Sequence, residues 1–152
     1  MDTEKFIPYP EEFKEQDRLC QKFSELKEKK EKGKLTKKET KELILMSLEP
    51  KNYETDGYNS GGYGWCNSNW GSKWGICHSA IDDSNPNDLF YSFDTAWTPV
   101  CPVVLKMSEL FPKLNFNYKY WESGNGFRGI LICKGGKVIK DNEYKYKGGR
   151  GG

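Results

Sequence analysis

A chain of 152 residues is sized for one domain with a real hydrophobic core. Hydrophobic residues make up only 36%, aromatics reach 14%, and the 30% of charged residues nearly cancel at a net +2. No apolar run approaches the ~20 residues that span a membrane. No secretory leader pattern opens the chain. Five scattered cysteines, Cys20, Cys66, Cys77, Cys101 and Cys133, argue against a disulfide framework and for a reducing compartment. The expectation is a single domain over 1–152, cytoplasmic and without membrane contact.

The first third is predicted to be a charged helical hairpin over 11–48. Phe6-Ile-Pro-Tyr-Pro10 is an extended, proline-fixed lead-in. From Glu11 the apolar positions Phe13, Leu19, Phe23 and Leu26 share one helical face, and Glu11, Glu12 and Glu15 suit the positive end of the helix dipole. This helix stops near Gly33. Thr36 and Glu39 then form a capping box for a second helix, which ends at Leu48 before Pro50. The crowding of Leu43, Ile44, Leu45, Met46 and Leu48 predicts a buried end to that helix. The hairpin serves either as structural cover or as a partner-binding arm.

Residues 56–147 read as an aromatic loop followed by an antiparallel sheet and a packed helix. Gly61 to Gly75 contains three tryptophans, one tyrosine and five glycines. Helices and strands both avoid such glycine density, so a special loop path is expected. A short strand is expected over 75–81, a loop over Asp82–Asp88 and a strand over Leu89–Phe93. Pro102 to Phe111 is a helix with proline in its first turn. Leu114–Tyr120 alternates with period two and is a half-buried strand. Phe127–Cys133, the tight turn Lys134-Gly-Gly-Lys137 and Val138–Tyr146 form a hairpin. Strand, helix, strand, strand is the second half of a ferredoxin-like plan, an α+β fold. The tail 148–152, Gly-Gly-Arg-Gly-Gly, is expected to be flexible.

Charge is polarised along the chain. Residues 56–97 carry one basic and five acidic side chains, whereas 134–152 carry six basic and two acidic. Lys140, Lys145, Tyr146, Lys147 and Arg150 therefore form a candidate nucleic-acid-binding tail, set against the plainer reading of a solvated terminal strand.

Signals for catalysis are thin. Cys66, Cys77 and His78 lack the paired spacing of strong zinc motifs. Asp82, Asp83 and Asp88 lack the Gly and Glu of a calcium loop. Gly61-Gly-Tyr-Gly64 is followed by no G-K-[ST], so it is no phosphate loop. Asp94 and Glu122 are an acid–base pair only if the fold unites them. No catalytic residue, metal or cofactor is assigned. The aromatic motif itself reads two ways. Trp65, Trp70, Trp74 and Trp97 can form a core with Asn67, Asn69 and Ser72 satisfying backbone groups. Alternatively, Trp65, Asn69, Trp70, Lys73, Trp74, Trp97, Glu122 and Arg128 can form a binding surface, with rings for stacking and the two cations for phosphate or an acidic partner.

Five motifs carry a family resemblance. In order they are Ile7-Pro-Tyr-Pro-Glu-Glu12, Trp65-Cys-Asn-Ser-Asn-Trp-Gly-Ser-Lys-Trp74, Phe93-Asp-Thr-Ala-Trp-Thr-Pro99, Leu110-Phe-Pro-Lys-Leu114, and Tyr120-Trp-Glu-Ser-Gly124 with Phe127-Arg-Gly129. Over about residues 6–130 the chain resembles the YubB-like, ferredoxin-like family of plasmids and phages. Ser72 stands where that family usually has Thr, and Cys101 interrupts its double proline. Family members usually carry a further strand and helix ahead of the first motif, here at residue 7, so a shortened variant, a fragment or a differently completed sheet is expected. The resemblance implies a ferredoxin-like fold and a mobile-element context without a settled activity. Together these readings predict a non-enzymatic accessory protein that binds a host protein or nucleic acid, with an anti-defence, anti-CRISPR-type inhibitor of a host nuclease as the specific form. The alternatives are an RNA- or DNA-binding protein using the tail, and a small nuclease or nucleotide-processing enzyme using Asp94, Glu122 and Lys73. An open sheet edge also allows a homodimer.

Overall fold

The computed structural model describes residues 2–49, 51–85 and 88–148. Of the expected flexible tail, only Gly148 is among them; Arg150 lies outside the described residues. The chain resolves into two compact units: Tyr9–Tyr63, and the remainder from Gly64 onward together with the residues up to Pro8.

The first unit is the helical hairpin. Helix α1 spans Glu11–Glu31 and α2 spans Lys37–Leu48. At the end of α1 the Lys34 and Gly33 N–H groups donate to the Lys29 and Lys30 carbonyls, a Schellman closure. Thr36 Oγ1 accepts from Glu39 N at 3.2 Å and Glu39 Oε2 accepts from Thr36 N at 2.9 Å, so the capping box is formed. Lys29 pairs with the same carboxylate at 2.6 Å, which ties α1 to the start of α2. Phe23, Leu26, Leu43, Met46 and Tyr53 form the core of this unit. The segment after α2 is stitched back onto α1. The Gln16 side-chain amide donates to the Asn52 and Thr55 carbonyls, and Asp17 accepts from Gly57 N at 2.7 Å. The end of α2 is not buried, contrary to the crowding of its apolar residues. Ile44, Leu45 and Leu48 are exposed. Five apolar residues in six positions exceed the width of the single face that α1 can cover.

The expected glycine-rich loop is largely helical. A π-helical turn over Tyr58–Gly62, broken by Gly61 at φ 149°, leads into helix α3, Tyr63–Asn69. The irregular path is confined to residues 70–76. Local glycine penalties are overridden by packing, with Cys66 of α3 buried.

In the second unit, strands β1 (Cys77–Asn85) and β2 (Asp88–Asp94) form an antiparallel hairpin. The predicted loop over Asp82–Asp88 is therefore corrected: residues 82–85 continue β1, and Asp88 begins β2. Backbone pairing across the hairpin outweighs the turn-like composition. Helix α4 spans Cys101–Leu110. Strands β3 (Phe116–Glu122), β4 (Phe127–Lys134) and β5 (Lys137–Lys145) form a second antiparallel sheet in the order β3-β4-β5. Gly135 and Gly136, at φ 57° and 73°, close the β4–β5 hairpin; two successive positive φ angles are what a type I′ turn requires.

The core of this unit lies between α4 and the inner face of the three-stranded sheet. Val104, Leu131 and Cys133 are buried there, with Phe116 and Tyr118 against them. Burying a side chain such as Leu131 contributes about 1.5–3 kcal/mol. Burial also raises the titration of the inner-face hydroxyls: it pushes Tyr118 well up and Tyr120 up to about 12. Phe93 of β2 stacks on Tyr118 at 5.7 Å, joining the first hairpin to the sheet by ring contact. The architecture is α+β, with a helical hairpin ahead of helix-covered antiparallel strands. Among the described residues, no helix is long and apolar enough to cross a membrane.

Candidate functional site

The loop after α3 and the loop after β2 are clasped together. Ser72 is fully buried, and its hydroxyl accepts from Ala96 N at 3.1 Å while donating to Ala96 O at 3.2 Å. Thr98 Oγ1 donates to Gly71 O at 2.6 Å. Gly71 sits at φ 81°, and a Cβ there would stand 2.8 Å from the Pro99 carbonyl oxygen. Only glycine allows both that angle and that approach. A Thr at 72 would carry the same hydroxyl.

The clasp brings three side chains together at the surface. Lys73 Nζ lies 4.7 Å from the Trp74 ring centroid and 5.4 Å from that of Trp97. Both distances fall within cation–π range. Trp74 is 47% exposed and Trp97 57% exposed. Trp97 also adopts φ 66°, a left-handed conformation that costs a bulky residue about 1–3 kcal/mol. The fold thus holds a large ring in solvent at the expense of backbone strain.

The other predicted tryptophans are placed differently. Trp70 is buried, donates its indole N–H to Ile7 O at 2.8 Å, and meets Trp65 edge-on at 5.4 Å. Asn69 donates to Trp65 O at 2.9 Å and so completes the end of α3. Nearby, Thr3 Oγ1 accepts from Ile76 N at 2.9 Å. Trp65, Asn69 and Trp70 are therefore internal supports, while Lys73, Trp74 and Trp97 face outward.

Glu122 and Arg128 belong to the sheet. Glu122 accepts from Gly124 N at 2.7 Å and shapes the β3–β4 turn. Arg128 is exposed on β4 and lies 6.0 Å from the Tyr144 ring on β5. Lys140 and Lys145 lie on β5, where they oppose Ile132 and Phe127 respectively. Tyr146 donates its backbone N–H to Gly126 O at 2.7 Å, and Lys147 follows it, exposed. Asp94 is engaged by His78, with Nδ1 and Oδ2 3.0 Å apart. Burial pushes the Cys66 thiol up and Cys101 up to about 11, so neither is primed as a thiolate. Among the described residues, no three His, Cys, Asp or Glu side chains gather as a metal site.

Sequence reasoning assigned Ser72 to backbone support but overlooked Thr98, the second hydroxyl of the clasp. It also overlooked Trp121, 58% exposed on β3, although the alternation Asn117, Lys119, Trp121 marks the outward face of a strand.

Residues 73–148 match the family model described as a ferredoxin-like domain in Api92-like protein. The chain belongs to this ferredoxin-like family. The matched region begins at Lys73 and includes Trp74, Trp97 and the whole three-stranded sheet. The Api92-like domain therefore contains the exposed cluster, whereas Trp65, Trp70 and the helical hairpin precede it. No curated protein and no solved structure matches this chain.

Proposed function

We propose that this protein is a non-enzymatic accessory protein of a phage or plasmid, of the YubB-like kind, that acts by binding a host protein through Lys73, Trp74 and Trp97. The carrying observation is the exposed pair of indoles, locked by buried hydrogen bonds and held in part by strained backbone. Tryptophans that are rigid before binding lose little entropy on contact and are the residue type most enriched among interface anchors. The adjacent hairpin supports the chemistry of the partner. Residues 77–94 contain four aspartates and no lysine or arginine. Ile81, Leu89, Phe90 and Tyr91 are exposed on it. Such a surface complements a basic protein, and its charge imitates that of a nucleic acid. An anti-defence inhibitor of a host nuclease is the specific form of this reading. Its non-enzymatic character is supported by the separate engagements of Asp94, Glu122 and Lys73.

The test is capture from nuclease-treated host lysate. A basic protein should be retained by the wild type and lost with W74A/W97A. D94A/E122A should retain both capture and biological effect. Equal capture by W74A/W97A, or loss of effect in D94A/E122A with capture intact, refutes the reading.

A further inference from the structure

The three-stranded sheet has one face covered by α4 and one face open. The pairing register assigns each residue to a face. Directly opposed residues share a side, and neighbours along a strand alternate. On the open side, Trp121 opposes Arg128, which opposes Tyr144. The next row is Lys119, Ile130 and Asn142, and the third is Asn117, Ile132 and Lys140. Trp121, Arg128, Tyr144, Lys119 and Lys140 are all exposed.

Charge is sorted between the two faces. Among the described residues, the open rows carry Lys119, Arg128 and Lys140 and no carboxylate. The acids of β5, Asp141 and Glu143, oppose Leu131 and Gly129 and so belong to the α4 side. Alternation along β5 thus removes both negative charges from the surface that displays the cations. The ring of Tyr144 is fixed as well as exposed: Asn142 Nδ2 donates to its hydroxyl at 2.8 Å, and Arg128 lies over it. With strands spaced about 4.8 Å apart, Trp121 on β3 and Tyr144 on β5 stand roughly 10 Å apart with a guanidinium between them.

We infer that the open face of β3-β4-β5 binds single-stranded nucleic acid, with bases stacking on Trp121 and Tyr144 and with Arg128, Lys119 and Lys140 meeting phosphate. Flat rings interleaved with cations on a sheet face free of carboxylates suit a strand whose bases are splayed out. A duplex keeps its bases stacked on one another and offers those rings nothing. This surface shares no residue with the Trp74–Trp97 cluster, so the two readings stand or fall separately.

Fluorescence anisotropy on the full chain, with labelled 12-nucleotide oligo(dT), oligo(U) and a 12-base-pair duplex, tests it. The wild type should bind the single strands and prefer them to the duplex. W121A/Y144A should weaken binding by about tenfold or more, from the loss of two stacking contacts. W121F/Y144F, which keeps the rings, should bind nearly as the wild type does. K119A and K140A should each lower the slope of log K against log salt by about 0.7. W74A/W97A should leave the affinity unchanged. Circular dichroism confirms that each variant is folded. Absence of binding at 50 mM salt, equal affinity in W121A/Y144A, or preference for the duplex overturns the inference.

Discussion

Two pairs of tryptophans lie within reach of one glycine-rich motif, and the fold uses them in opposite ways. Trp65 and Trp70 meet edge-on beneath the N-terminal segment, and the single indole N–H of Trp70 is spent on the Ile7 carbonyl. Trp74 and Trp97 stand in solvent on either side of Lys73. The inner pair, with Trp70 buried and Trp65 half-buried, is supported by ordinary packing, whereas the exposed pair requires a hydroxyl clasp and a left-handed tryptophan. That contrast separates support from display. Burial of a ring is repaid by stability, but exposure of a ring on strained backbone is not, so its retention points to a contact outside the chain.

The most direct way to break this comparison is to truncate the buried member of the inner pair. W70A should cost about 3–5 kcal/mol, the range for large aromatic deletions from a core, and should lower the midpoint in urea denaturation. A small effect would make Trp70 a surface residue in practice. The clasp comes next. S72A leaves the buried Ala96 N–H without its acceptor and should cost about 1–3 kcal/mol, while S72T should lose far less because the hydroxyl remains.

The helical hairpin provides a control outside both pairs. T36A removes the N-cap of α2 and should cost about 1 kcal/mol by thermal melting. Lys29, with hydrogen bonds from Thr36, holds the Glu39 carboxyl down to about 2 against its ordinary 4.5. Because the folded value is the lower one, its contribution is present above the unfolded value and is lost as pH falls from about 4.5 toward 2. Acid titration followed at 222 nm should show this loss, and E39Q should flatten that part of the curve.

The smallest stability effects belong to the exposed pair. W74A should stay within about 1 kcal/mol of the wild type, since only an exposed cation–π contact is lost. W97G should not destabilise at all, because glycine relieves the left-handed φ. Chemical denaturation checks both. A large loss in either would turn the display pair into a second support pair and remove the basis for the proposed interface.

Local signals carried much of the hairpin and sheet. Thr36 and Glu39 are three residues apart, and the cap they form is decided within one helical turn. The period-two alternation of β3 and the Lys134-Gly-Gly-Lys137 turn likewise act over short range. The exposed end of α2 was not legible, because an apolar cluster announces a need for burial without naming a partner. Residues 61–69 were misread as loop because glycine propensity is a weak local cost, and packing over Cys66 exceeds it. The Asp-rich segment at 82–85 was misread for the same reason: strand pairing is a non-local gain that composition does not record.

By itself the sequence determined the α+β class, the capped helical hairpin and the strands of the three-stranded sheet. These follow from periodicity, capping and turn chemistry, all of which act between near neighbours in the chain. Only the tertiary structure decided which tryptophans are inside. That outcome depends on Ser72 meeting Ala96 and Gly71 meeting Thr98, contacts 24 and 27 residues apart. It likewise decided which face of the sheet holds the cations, because facing is set by the strand register once α4 has covered one side.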